Sequence, residues 1–461
     1  MKNGFFHEDD IFIILLSFVL IVLSPLVLAQ NECDYFSHTT ESGLSSESIA
    51  LSGFNAAKLA LVDRQINQDV KDGFPGAGLL IIKNGKVIKQ TVYGYSLKYD
   101  AITLKRLTNP IPLSCQTLFD LASNTKMYAT NFAIMQLVSE NRLDIDKPIH
   151  AYIPEYTGCD FNDECRDTRT VRDLLTHSAG YMPDPQFFNP ASIRQYGENL
   201  YSQNRSITES ILYTKLPFAA SRGGKPNYSD VDFMLLGLIV EKISGLSLDQ
   251  YVEKNIYQPL NLRSTWFNPL DHGYVASDCA ATEVMGNTRG GAVNFPNIRT
   301  HVLQCQVHDE KSFYSMGGIS GHAGLFSNLG DLAVLTQLAL NNGSYAGKVL
   351  WSAAVELEFT APLASDSSYG LGWRRAGSNH NYAPFGHYAS NLAYGHTGWT
   401  GTITLIDPKY QLVIILLTNK KHSTYQNGRF AGDSFATGKY APIIDLIYQA
   451  LPEAQNLNIS K

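Results

Sequence analysis

The chain has 461 residues, of which 44% are hydrophobic and 17% charged, with a formal net charge of −6. That composition excludes a disordered chain, and the lack of any Lys/Arg block excludes a nucleic-acid groove. The length allows one large domain or about two to three ordinary ones.

The first element is an uncharged run, Ile11 to Ala29, which ends in the small-residue signature Val27-Leu28-Ala29. It is long for a signal core and just long enough to span a bilayer, so residues 1–29 are expected to be either an export signal or an N-terminal membrane anchor. Only Lys2 precedes the run, against Glu8, Asp9 and Asp10, and no lipobox stands before Cys33. Either reading puts the folded part outside the cytoplasm. The six cysteines form no C-x-x-C pair and no zinc spacing. Cys159 and Cys165 could close a small loop, and Cys279 and Cys305 flank a longer one; unpaired buried thiols are the alternative.

After a linker over 30–44, residues 56–73 show helical periodicity and stop at Gly73. Two apolar runs, 77–83 and 86–96, are joined by Asn84-Gly85, a strong hairpin signal. The middle of the chain turns helical: 123–143, a helix ending near 171–180, and 232–245 with Gly245 as its stop. Residues 271–320 are rich in Gly, Asn and Thr without clear period, the mark of a functional or disordered loop. Strands return at 369–375, 400–408 and 410–420, the last two turning at Asp407-Pro408, and residues 441–451 form a final helix. The order strands, helices, strands predicts an α/β fold of the α+β type. Its antiparallel sheet would be built from both chain ends (45–110 and 340–450) and flanked by helices, with a mainly helical region (111–339) inserted into a single domain over 45–450.

Three short motifs carry chemistry. Ser123 stands three residues before Lys126, so the two can share a helix face. A serine hydroxyl needs a neighbouring base, and Lys126 could serve only when neutral, which burial or nearby positive charge would favour. Exposed N–H groups at a helix start, that of Ser123 among them, can donate to an oxyanion. Tyr228-Ser229-Asp230 lies at the entrance to the third helix; Tyr228 could relay a proton, and Asp230 taken alone fits a helix cap best. His396-Thr397-Gly398 enters a C-terminal strand, where a glycine would let substrate backbone approach. Other clusters carry less. Thr176-His177-Ser178-Ala179-Gly180 lacks the first glycine of a nucleophile elbow and follows a helix. His308, Asp309, Glu310 and His322 have no recognised ligand spacing, which favours a structural or substrate-loop role over metal binding. Gly317, Gly318, Gly321 and Gly324 complete no phosphate loop.

With these motifs in this order, the chain resembles the serine β-lactamase-like clan of class C β-lactamases, DD-peptidases and related esterases, which carries Ser-x-x-Lys, Tyr-x-Asn and Lys- or His-Thr-Gly. The likeness runs over about residues 45–450 and includes the blocks LDIDKPIHAYIPEY, TVRDLLTHSAG and SMGGISGHAGLFSNLGDLAVL. It implies a β-lactamase-like fold, Ser123 as acylated nucleophile, Lys126 as its base and Tyr228 as proton shuttle. It further implies that His396 and Thr397 bind the substrate's carboxylate end and that the Trp399 N–H is a second oxyanion donor. Asp230 replaces the family asparagine and puts the contact with the substrate amide in doubt; His396 in place of lysine leans towards DD-peptidases. The implied activity is a D-Ala-D-Ala carboxypeptidase of the bacterial cell envelope, acting on peptidoglycan stem peptides and trapped by β-lactams, with no cofactor. The same chemistry admits a β-lactamase or an esterase, and Asp230 also admits a weakly active wall-binding protein.

Overall fold

The computed structural model describes residues 30–34, 36, 43–191, 199–378 and 382–455; the 1–29 leader lies outside them. Asn84 and Gly85 both take positive φ (52° and 72°). That conformation matches the twist of the flanking strands, and it joins β2 (Gly76–Lys83) to β3 (Lys86–Tyr99). The segments Ser45–Ser46 and Arg106–Pro112 pair with β3 off the main path of the sheet; the other strands along that path are β1 (Gln30–Glu32), β4 (Arg374–Arg375), β5 (Tyr394–Gly398), β6 (Thr402–Asp407) and β7 (Leu412–Thr418). Their spatial order is β1-β3-β2-β7-β6-β5-β4, each pair antiparallel. The β7–β2 pairing, with Ile414 opposite Ile81 and Leu416 opposite Leu79, stitches the two chain ends into one sheet, as the residue order predicts.

The helices that position the site are α1 (Ala56–Lys71), α2 (Phe132–Ser139), α3 (Asp230–Ser244), α4 (Leu329–Leu340) and α5 (Ala441–Gln449). Every residue of β7 is buried, because the sheet is covered on both faces and successive side chains alternate between them. Leu79, Ile81, Ile414 and Leu416 pack with Val62 and Ile66 of α1 and Ile443 and Ile447 of α5. Leu80, Ile82, Ile415 and Leu417 pack on the other side with α4 and the helical region.

Two predicted elements differ. The helix expected over 123–143 is a short 3₁₀ turn (Ala122–Asn124), a π turn (Lys126–Asn131) and then α2. Wide turns of this kind recur at functional sites. The strand expected over 369–375 shrinks to β4, because Gly372 adopts φ 82° and the Gly370 N–H donates to the Trp373 carbonyl, so the chain turns there. Three disulfides are present: Cys159–Cys165 and Cys279–Cys305 close the two loops noted above, and Cys33–Cys115 ties the N-terminal segment to the body.

Behind β5, Glu356 is buried and accepts from the Trp351 Nε1–H (2.7 Å) and the Tyr394 hydroxyl (3.0 Å). Burial pushes its carboxyl up to about 8. The folded pKa is raised, so its contribution is fully present below the unfolded carboxyl pKa and is lost as pH rises through the folded value. Stability should therefore fall between about pH 4.5 and 8 by about 1.4 kcal/mol per pH unit from this group alone. Glu356→Gln should flatten that slope in urea melts run across the range; an unchanged slope would show the carboxyl to be ionised in the fold.

Candidate active site

The Ser123 turn is held by the sheet and by the buried carboxyl of Asp120. Ala122 takes φ 45°, a costly value for a residue with a Cβ, and its N–H donates to Asp120 Oδ1 at 2.8 Å. The second oxygen of Asp120 accepts from the His308 N–H at 2.6 Å, which joins this turn to the 271–320 segment. Asn124 and Thr402 pair at 3.0 Å, and Thr402 donates to the Leu121 carbonyl at 3.0 Å. A Cβ on Gly398 would lie 2.3 Å from that carbonyl oxygen. The space this glycine leaves is thus filled by the nucleophile turn itself, not by substrate backbone as the sequence suggests.

Lys126 begins the π turn, fully buried, and its ammonium has three acceptors: Ser123 Oγ at 3.0 Å, Asp230 Oδ1 at 2.8 Å and the His322 carbonyl at 3.0 Å. These satisfy all three N–H donors of a charged lysine. Burial is the largest influence and pushes Lys126 down, but Asp230 and Tyr228 together outweigh it and the net shift is upward. The resting lysine is therefore charged, against the neutral state that a base requires. Asp230 is not the helix cap. Ser229 fills that role, its hydroxyl accepting from the Val231 N–H, and Asp230 is the first residue of α3. Its other oxygen meets Lys311 Nζ at 3.1 Å. Burial would raise the Asp230 carboxyl, yet Lys126 and Lys311 hold it below the usual range.

Lys311 is itself buried and pairs with Asp184 and, at 3.5 Å, with Asp309. Asp309 Oδ1 lies 2.8 Å from His322 Nε2, and Ser320 closes the chain on Nδ1. Gly321 lets this strap pass against α3, since a Cβ there would fall 2.0 Å from the Phe233 carbonyl oxygen. Asp230, Asp309 and His322 bring potential ligand atoms within 4.8 Å of one another. The two lysine ammonium groups already compensate that charge, so the arrangement reads as an ion-pair network.

Tyr228 packs with its ring 5.0 Å from Lys126 Nζ and its hydroxyl near Ser123 and Lys126, without a well-aligned bond to either. Burial pushes the phenol up against the pull of Lys126, so it is neutral. Behind it His177 Nδ1 lies 2.8 Å from Asp232 Oδ2 and 3.2 Å from the Ser229 backbone nitrogen, so the near-elbow motif braces the start of α3. His396 is buried, and its Nδ1–H donates to the Thr397 carbonyl at 2.7 Å. Burial, followed by Lys126, pushes its imidazole down to about 3. An uncharged ring cannot by itself be the counter-ion for a carboxylate. Thr397 Oγ1 is shared with Tyr382 at 2.7 Å. The Arg374 guanidinium lies over the Tyr369 and Tyr382 rings (3.8 and 4.4 Å) and makes no ion pair among the described residues.

Ser123, Tyr228, Asp230 and Trp399 line one cavity of about 190 Å³, together with Asp184, Arg289, Asp309, Glu310 and Lys311. Trp399 is 43% exposed and packs on His308, with Arg289 and Lys421 over its ring. The sequence thus brings Ser123, Lys126, Tyr228, Asp230 and His396-Thr397-Gly398-Trp399 to one place. It does not reveal Lys311, Asp184, Arg289 or Arg374. The only signal was the block VHDEK, whose charges are unusual beside an apolar Gly-rich stretch.

The sequence profile of the family described as Beta-lactamase matches residues 62–433. A Bacillus subtilis protein named "N-acetylmuramyl-L-alanine amidase" is 48% identical over 86% of this chain and 90% of its own length. An Escherichia coli K12 protein named "Putative D-alanyl-D-alanine carboxypeptidase" is 45% identical over 89% of this chain and 94% of its own. Among solved structures, a penicillin-binding protein homologue from Caulobacter crescentus aligns with TM-score 0.62 and 21% identity over 87% of this chain and 99% of that one. The hydrolase EstCE1 aligns with the same score and identity over 85% and 99%. At that identity these two establish the fold alone.

Removing one partner of a buried pair leaves an uncompensated charge. Asp230→Asn should cost about 3 kcal/mol of stability in denaturant melts. It should also lower the Lys126 pKa, so that the acidic limb of any Ser123-dependent reaction moves to lower pH. A limb that stays in place would separate Asp230 from the lysine's protonation.

Proposed function

We propose that this chain, which belongs to the β-lactamase family, is a serine hydrolase of cell-wall peptides that works through an acyl-enzyme on Ser123, and that its reaction is D-Ala-D-Ala carboxypeptidation. The observation that carries the reading is the contact of Ser123 Oγ with Lys126 Nζ at 3.0 Å, with Ser123 on the wall of a cavity of about 190 Å³. In the competent form Lys126 has lost one proton. The Ser123 O–H bond breaks, its proton passes to Lys126 Nζ, and Oγ bonds to the substrate carbonyl carbon. The N–H groups of Ser123 and Trp399 would receive the developing oxyanion. Tyr228, neutral and facing both residues, would pass the proton to the leaving amine as the carbon–nitrogen bond breaks. Water then releases the acyl group by the reverse path. The unpaired Arg374 beside His396 and Thr397 supplies the charge for a terminal carboxylate that the neutral imidazole lacks.

A second reading is cleavage of the amide between the muramyl lactyl group and L-alanine. The Bacillus subtilis relative's name favours it. Both reactions place the protein in the cell envelope, which accords with three disulfides. Export would rest on the 1–29 run, as a cleaved signal or a retained anchor; no helix among the described residues is long and apolar enough to cross a membrane.

A fluorescent penicillin should label the wild type and not Ser123→Ala. The variant should lose about 10³-fold or more in turnover. Release of D-alanine from a D-Ala-D-Ala peptide identifies the carboxypeptidase, and release of the intact stem from a muramyl peptide identifies the amidase. Turnover of a chromogenic cephalosporin or a nitrophenyl ester alone would assign a β-lactamase or an esterase. Label on neither protein, with no turnover of any substrate, would leave a wall-binding protein.

A further inference from the structure

We infer that Lys311 is a positioning residue for the nucleophile: by sharing the Asp230 carboxylate with Lys126, it leaves Lys126 easier to deprotonate than Asp230 alone would, so that Ser123 can be activated at lower pH. The inference rests on the reading of Ser123 and Lys126 as nucleophile and base.

Asp230 gives one oxygen to each lysine, 2.8 Å to Lys126 and 3.1 Å to Lys311. Had Lys126 the carboxylate to itself, in a site closed to water, the ammonium would be locked and Ser123 would face a proton donor only. A second cation on the same carboxylate divides that stabilisation. Lys311 cannot swing away, because it is 4% exposed and anchored from outside by Asp184 and from the side by Asp309. Asp309 in turn accepts from the Ser312 N–H at 2.8 Å, which fixes the turn that presents Lys311. One face of the pair thus comes from α3 and the other from the 271–320 segment and its continuation.

The other groups that face Lys126 leave this balance to Lys311. Tyr228 from the α3 entrance is a neutral phenol, and His396 from β5 and His177 behind Tyr228 are held neutral by burial. Asp232 of α3 also interacts with Lys126, and burial pushes its carboxyl up towards the neutral form; Arg374 of β4 acts on His396. His322 meets Lys126 through its backbone carbonyl and Asp309 through its ring.

The test is the rate at which a fluorophosphonate probe labels Ser123 across pH, in the full-length protein and in Lys311→Met, Lys311→Arg and Asp184→Asn. The probe reports serine reactivity whatever the natural substrate. Lys311→Met should move the midpoint of the acidic limb up by about one pH unit, and Lys311→Arg should restore it. Asp184→Asn, on a side chain 59% exposed and so safe for folding, should move it down, because Lys311 then acts undivided on Asp230. Coincident midpoints in wild type and Lys311→Met would overturn the inference and leave the proposed function intact. If Lys311→Met does not fold, an unmoved midpoint in Asp184→Asn overturns it equally. A wild type whose labelling equals that of Ser123→Ala would instead remove the nucleophile itself.

Discussion

A lysine ammonium taken wholly out of water must find three acceptors or lose its proton, and the position of Lys126 makes this the constraint around which the site is arranged. Its acceptors come from three separate parts of the chain: Ser123 from the same turn, Asp230 from the start of α3 and the His322 carbonyl from a strap about two hundred residues downstream. Each of those parts is then held by its own brace. Asp120 pins the turn, Ser229 caps α3, and Gly321 lets the strap run against the helix. Removing water is what gives these contacts their strength, and it is also what makes each one obligatory.

This changes the meaning of Asp230. In the family pattern the position holds an amide, which can donate to a substrate. Here a carboxylate sits between two cations and has no hydrogen to give. On the opposite wall Lys311 meets the oxygen that Lys126 leaves free. An asparagine would need no second ammonium; an aspartate beside Lys126 does, if that lysine is to give up its proton.

Much of the fold was legible because its signals are local. Asn84-Gly85 announces a hairpin, Gly245 a helix end, and the apolar runs at 77–83 and 410–420 a doubly covered sheet, all of which the chain adopts. The Ser123 turn departs from the plain helix its apolar period predicts, and its entry at Ala122 is held at positive φ beside a single buried carboxyl, Asp120, which no local pattern encodes. Residues 369–375 alternate like a strand but carry Gly372 where the chain must turn. In the site, Ser123, Lys126 and Tyr228 stood out through their spacing. Lys311 and Arg374 did not, because their roles depend on what tertiary packing places opposite them: a carboxylate for one, two tyrosine rings and a neutral histidine for the other.

The contact of Gly398 with the Leu121 carbonyl has a bearing on how such a site can diversify. Because the strand edge and the nucleophile turn touch backbone to backbone, neither can shift without the other, and the reactive centre behaves as one rigid piece with the sheet. The opposite wall, from Arg289 to Lys311, is joined to that piece by side chains and by one disulfide-closed loop. New substrates can therefore be accommodated by rewriting the wall while the reactive half is inherited unchanged. Members of one lineage could in this way come to cut different bonds of the same polymer.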